Sequence, residues 1–149
     1  MELIFKQTVC VQSGLVIATA DAGPSRDVLV WRTSMDDVII IIGAQQGEQS
    51  DVLPRDVGIE TLLGYAAFHA NLDPQYRSLT HIQYFLVSDD DGQLLKITPE
   101  WSHPLAWRPS RVVLTPLPAH NDMTEIVSHL AAGYPPPIAI SVACAMRAA

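Results

Sequence analysis

Four consecutive isoleucines, Ile39 to Ile42, follow Val38 and end at Gly43. β-Branched side chains favour extended backbone, because a helical turn restricts their χ1 angle and a pleated surface does not. Successive side chains of a strand point to opposite faces, so this run is apolar above and below. A strand with one wet face alternates. One that does not alternate is central in its sheet and covered on both sides. The run therefore demands neighbouring strands on either edge and a covering layer on each face.

The chain has the means to supply them. It contains 149 residues, of which 48 % are hydrophobic and 17 % charged. That is one domain's length with enough apolar material for a core, which excludes global disorder. No apolar run approaches the roughly 20 residues of a membrane helix, so no membrane association is expected. The formal net charge is −7, from 9 Lys and Arg against 16 Asp and Glu. Nucleic-acid affinity rests on neutralising phosphates, so no nucleic-acid partner is expected. An acidic surface suits solubility or a basic partner. Cys10 and Cys144 lie in apolar segments and read as small buried hydrophobes. Neither has a second cysteine at metal-ligand spacing. Residues 15–20 end in a small-x-small pattern, but Glu2 and Gln12-Ser13-Gly14 do not suit a secretory leader. The segment is read as folded sheet and the protein as cytoplasmic.

Alternating or β-branched runs predict strands over residues 2–12, 15–19, 28–32, 38–42, 80–87, 93–98 and 111–114. Ser13-Gly14 would join the first two as a hairpin. Asp89-Asp90-Asp91-Gly92 reads as another hairpin turn, with Gly92 supplying a positive φ; it lacks the spaced ligands of a calcium loop. Residues 44–53 form a polar loop and 99–110 a loop rich in Pro and Trp. Ile59, Leu62, Leu63, Ala66 and Ala70 recur at helical spacing, with Asp56 as cap and Asp73-Pro74 as stop. Met123, Ile126, Val127 and Leu130 mark a second helix over 122–132, with Asp122 and Glu125 as a capping pair and Gly133 and Pro135 beyond its end. After Pro137, Ile138, Ile140, Val142, Cys144 and Met146 alternate as a strand would, although the alanines there favour helix. The expected fold is a single α+β domain over 1–149: a mainly antiparallel sheet, flat or curved, of about six to eight strands with two helices packed on it.

Several groups could carry function. Tyr65 and Phe68 lie off the main stripe of the first helix and form a second one, packed internally or against another chain. Trp101, His103, Trp107, Arg108 and Arg111 share one Pro-bracketed loop, and Trp and Arg are over-represented at binding hot spots. The alternative role for these indoles is to cover a sheet edge. His120, Asp122, Glu125 and His129 are the residue types of a metal or hydrolytic site, with Glu125 and His129 on one helical face. Capping and the helix dipole explain the same residues without a metal. His69 and His81 read as structural. No Gly-x-Ser-x-Gly elbow is present, and Gly43-x3-Gly47 lacks the Gly-Lys-Ser/Thr of a phosphate loop. No cofactor is expected.

These features favour a small acidic, non-enzymatic binding protein that engages a protein partner or its own copy, most simply as a homodimer. A first alternative is a small-molecule binder with a pocket between the first helix and the sheet, lined by His81, Tyr84, Trp101 and Trp107. A second is a metal-dependent or hydrolytic enzyme using His120, Asp122, Glu125 and His129.

Overall fold

The computed structural model describes residues 1–11, 24–33, 35–47, 58–73, 81–103, 105–118 and 122–135. The elements run β1 (Glu2–Cys10), β2 (Ser25–Arg32), β3 (Val38–Ile42), α1 (Ile59–His69), β4 (Ile82–Val87), β5 (Leu94–Glu100), β6 (Arg111–Pro116) and α2 (Asp122–Ala131). The six strands form one open sheet in chain order. Every neighbouring pair is antiparallel except β3 and β4, which run parallel from Val38 opposite Ile82 to Ile42 opposite Leu86. A parallel pair needs a crossover connection, and α1 lies in it. The expected strand at 15–19 and the tail 138–146 lie outside the described residues, as do Asp56, His120 and Cys144.

β3 behaves as its sequence demands: all five residues are at most 1 % exposed. Val38, Ile40 and Ile42 share one face with Val28, Val30, Tyr84, Leu86 and Ile97, and that face meets Leu62, Leu63, Ala66 and Ala70 of α1. Ile39 and Ile41 share the other with Leu29, Trp31, Phe85 and Leu94, and that face meets Met123, Ile126, Val127 and Leu130 of α2. The helices thus cover opposite faces of the sheet, not a common one. The Trp31 indole Nε1 donates to the Leu130 carbonyl at 3.2 Å, which satisfies a buried donor and pins α2 to β2.

Both helices end in the same way. At α2, Gly133 adopts φ 84°, its N–H donates to Leu130 O, and the N–H of Tyr134 donates to His129 O. At α1, Asn71 adopts φ 56°, its N–H donates to Phe68 O, and the N–H of Leu72 donates to Ala67 O. This 5→2 and 6→1 pairing around a left-handed residue is the Schellman stop. Asn71, not Asp73-Pro74, therefore ends α1. Asn tolerates the left-handed region better than other side chains bearing a Cβ, Gly aside. At the other end, Gly58 precedes α1 without a side-chain cap. Asp122 is already helical, so it and Glu125 act through negative charge in the first turn, not as a flanking cap pair.

The β4–β5 connection is the expected hairpin. Gly92 has φ 69°, Ser88 N–H donates to Gln93 O, and Gln93 N–H donates to Asp91 Oδ1. β5 is longer than expected and takes in Pro99, opposite Val112 of β6. Pro99 lies past the last β4–β5 pair, Tyr84 with Ile97, so its missing N–H interrupts no ladder on that side. Asp89 does more than turn the chain. It accepts from Arg26 Nη2 at 2.7 Å and from the Gln45 N–H at 2.8 Å, while Arg26 Nη1 donates to Gly43 O at 2.9 Å. One carboxylate so ties the hairpin to the start of β2 and the end of β3.

Two-sided burial of β3 has a direct test. Ile40→Ala empties space under α1 and Ile41→Ala empties space under α2. Each is expected to cost about 2–5 kcal/mol in urea unfolding, whereas Val113→Ala on the outer strand costs under about 1 kcal/mol. A near-neutral result for either isoleucine would mean that its face is not covered.

Candidate functional site

α1 meets the sheet through Leu62, Leu63, Ala66 and Ala70, yet Gly64 is also buried. A Cβ at position 64 would collide with the carbonyl oxygen of Trp107 and would lie 3.0 Å from Arg108 Cβ. The backbone of the loop between β5 and β6 thus lies directly on the flank of α1. Glycine inside a helix costs about 1 kcal/mol relative to alanine. Here that cost permits a backbone approach no other residue allows. A lone glycine in a helical pattern is the sequence signal for such an approach, and it is the residue that sequence reasoning passed over.

Thr61, Gly64 and Phe68 are spaced i, i+3 and i+7, so they form one stripe of α1. Arg108 Nη1 reaches Thr61 Oγ1 at 3.5 Å, and its guanidinium carbon lies 5.2 Å from the centroid of the Trp107 ring. That places the cation within range of the indole quadrupole. Phe68 on this stripe is 74 % exposed, and on the loop Trp107 is 59 % and Leu105 55 % exposed. The base of the loop is closed. Ser110 donates to Glu100 O through both its N–H and its hydroxyl, at 2.9 and 3.0 Å. Arg111 Nη2 meets Glu100 Oε1 at 2.8 Å.

Among the residues expected to form a recognition patch, Trp107 and Arg108 lie against α1 at Gly64 and Thr61, one turn from Phe68, and Leu105 is exposed on the same loop. The others are placed differently. Arg111 is engaged by Glu100. His103 is exposed and its Nδ1 accepts from the Leu105 N–H at 3.0 Å, so it shapes the loop. Trp101 is half-buried.

Tyr65 turns toward β1, with its ring 5.8 Å from Phe5 and 4.3 Å from His69. The two members of the second stripe therefore part ways: Tyr65 packs internally and Phe68 faces solvent. His69 stacks on Phe5 at 5.1 Å and 12°. Burial pushes the Tyr65 phenol above its ordinary value of 10.0, because the phenolate is the poorly solvated form.

Asp122 and Glu125 are exposed and His129 is half-buried, on the side of α2 away from its core residues. Among the described residues no three His, Cys, Asp or Glu side chains come close enough to hold a metal ion. Tyr84 is 6 % exposed inside the core between α1 and the sheet. His81 precedes β4 with its side chain 68 % exposed, 3.9 Å from Asp37 Oδ1. Under α1, Leu62, Leu63, Ala66 and Ala70 pack against core side chains of the sheet.

No protein-family model matches the sequence, and neither a curated protein nor a solved structure matches it.

Gly64→Ala is expected to lower stability by about 1–3 kcal/mol despite alanine's helix preference, because backbone atoms of the loop must move. Tryptophan emission should shift with it. A stabilised variant with unchanged emission would remove the helix–loop contact. Tyr65 sets a pH dependence. The folded chain holds the phenolic proton more tightly than the unfolded chain does. Stability is therefore level below pH 10.0 and falls as pH rises from there through the folded value. Tyr65→Phe should flatten that alkaline loss in urea midpoints, and equal slopes for the two proteins would contradict the assignment.

Proposed function

We propose that this chain is a non-enzymatic binding protein that engages a protein partner, or a second copy of itself, through Phe68, Leu105, Trp107 and Arg108. The observation that carries the reading is the posture of Trp107: an indole 59 % exposed on a loop whose backbone is seated against Gly64. Exposed aromatic groups are ordinarily entropically costly to immobilise on binding. A loop held by backbone contact and by a cation over the ring has already met much of that cost. Trp and Arg at the centre of an apolar patch are the usual composition of a hot spot, and a polar rim from Thr61, His103 and Ser110 suits a surface that is wet when unbound. The packing of core side chains under α1 and the exposure of Asp122 and Glu125 support this reading over the pocket and enzyme alternatives. A twofold homodimer is its simplest form, and the cytoplasmic setting is part of the same proposal.

The test compares the wild-type chain with Phe68→Ala/Trp107→Ala. Both residues are exposed, so folding should survive. If the patch binds, the wild type forms a dimer in sedimentation velocity, or holds a partner, with affinity about tenfold or more above that of the variant. A wild type that stays monomeric at high concentration and shares every partner equally with the variant would sink the reading.

A further inference from the structure

The opposite face of the sheet carries a different feature, an open cavity of ≈ 330 Å³ beneath the last turn of α2. It lies at the carboxyl ends of β3 and β4, the parallel pair. Its cause is local. α2 meets the sheet through Met123, Ile126, Val127 and Leu130, but its final residues toward the cavity are Ser128, Ala131 and Ala132. β3 likewise ends at Gly43, which offers no side chain. The floor is Leu29, Ile41, Val87 and Leu94. Volumes of this order accommodate small ligands.

The charge on the described lining of this cavity is one-sided, beside the neutral polar Gln46 and Ser128. Asp27 lines it, and its Oδ1 accepts from Thr8 Oγ1 at 2.7 Å. A carboxylate has about four acceptor positions, so this hydrogen bond leaves capacity for a cation. Among the described lining residues Asp27 is the only ionisable one. The adjacent Arg26 does not line the cavity; its guanidinium is committed to Asp89 and to Gly43 O. The C-terminal end of α2 borders the cavity, and the partial negative charge of a helix C-terminus has the same sign as the carboxylate. An apolar floor below a carboxylate and a helix C-terminus selects a cation that carries hydrocarbon.

We infer that this cavity binds a small organic amine, with a primary ammonium on Asp27 and a short apolar body over Leu29, Ile41, Val87 and Leu94. An anion of the same shape is repelled, and a neutral alcohol loses the charge-assisted hydrogen bond. The cavity and the α1 surface occupy opposite faces of the sheet, so this inference does not rest on the protein-binding reading.

Amide-resolved NMR titration of the full chain with phenethylamine, 2-phenylethanol and 3-phenylpropionate tests it. Phenethylamine should shift the amides of Gly43, Gly92 and Ala132, the alcohol should bind about tenfold or more weakly, and the carboxylate should leave those amides unmoved. Asp27→Asn should weaken phenethylamine by about tenfold or more. Gly43→Val should abolish its binding: a Cβ there meets Asp27 Cβ at 3.5 Å, an ordinary contact, and the larger side chain enters the cavity. The three-ligand comparison on the wild-type chain and the Gly43→Val variant stand even if Asp27→Asn does not fold. Equal binding of all three compounds, or no shift at those amides with millimolar phenethylamine, would overturn the inference.

Discussion

The structure depends on burying β3 from both sides. Each isoleucine removed from water contributes about 1.5–3 kcal/mol, so four of them compare with the whole net stability of about 5–15 kcal/mol of a typical domain. Neither covering layer suffices alone. Without α1, Ile40 and Ile42 face water, and without α2, Ile39 and Ile41 do. The crossover that carries α1 also makes β3 and β4 parallel, and among the described strands it is the only break in an otherwise antiparallel meander.

The two helices meet this demand with different shapes, and the two candidate sites follow from the difference. α1 is apolar on more of its circumference than the sheet requires, and Gly64 on its flank accepts the backbone of the β5–β6 loop. That contact holds Trp107 and Arg108 on the flank of α1 that also carries Phe68. α2 is narrower and more sharply amphipathic, with a polar outer side bearing Asp122 and Glu125. Its last residues are too small to fill the space above β3 and β4, and a cavity remains. One site is thus built by close approach and the other by the lack of it.

The few cations are disposed to match. Arg26 is held by Asp89 across the mouth of the hairpin, and Arg111 by Glu100 at the base of the loop. The first pairing ties segments distant in sequence, and the second closes the ends of two neighbouring strands. Exposed ion pairs contribute little stability, so the Arg111 pair mainly sets loop geometry. The Arg26 side chain is only 11 % exposed, and there the partner matters more, because an uncompensated buried charge is strongly disfavoured. Arg108 is different: its guanidinium lies over an indole, which leaves a positive group at the surface of a chain whose net charge is −7.

Much of this was legible in the residues. The unbroken Val38–Ile42 run means a central, doubly covered strand wherever it sits, and the 3.6-residue spacings in α1 and α2 name the side chains that meet the sheet. Gly92 and Gly133 mark chain reversals, because only a residue without Cβ enters positive φ at no cost. These are local properties, set by backbone sterics and by which side of an element is apolar. The remainder is non-local. Periodicity says that a helix has a buried face but not which face of the sheet it covers, so the placement of α1 and α2 on opposite sides is set only in the assembled packing. Tyr65 and Phe68 look alike in sequence. They differ because Phe5 of β1 lies against the Tyr65 ring, whereas Phe68 is 74 % exposed. The seat of the 107 backbone on residue 64, the reach of Asp89 to Arg26, and the space left under Ala131 and Ala132 all join segments whose separation along the chain carries no signal. The chain by itself determined what must be buried; the tertiary structure decided what lies against what, because contact between distant segments is a property of the assembled packing and not of any one of them.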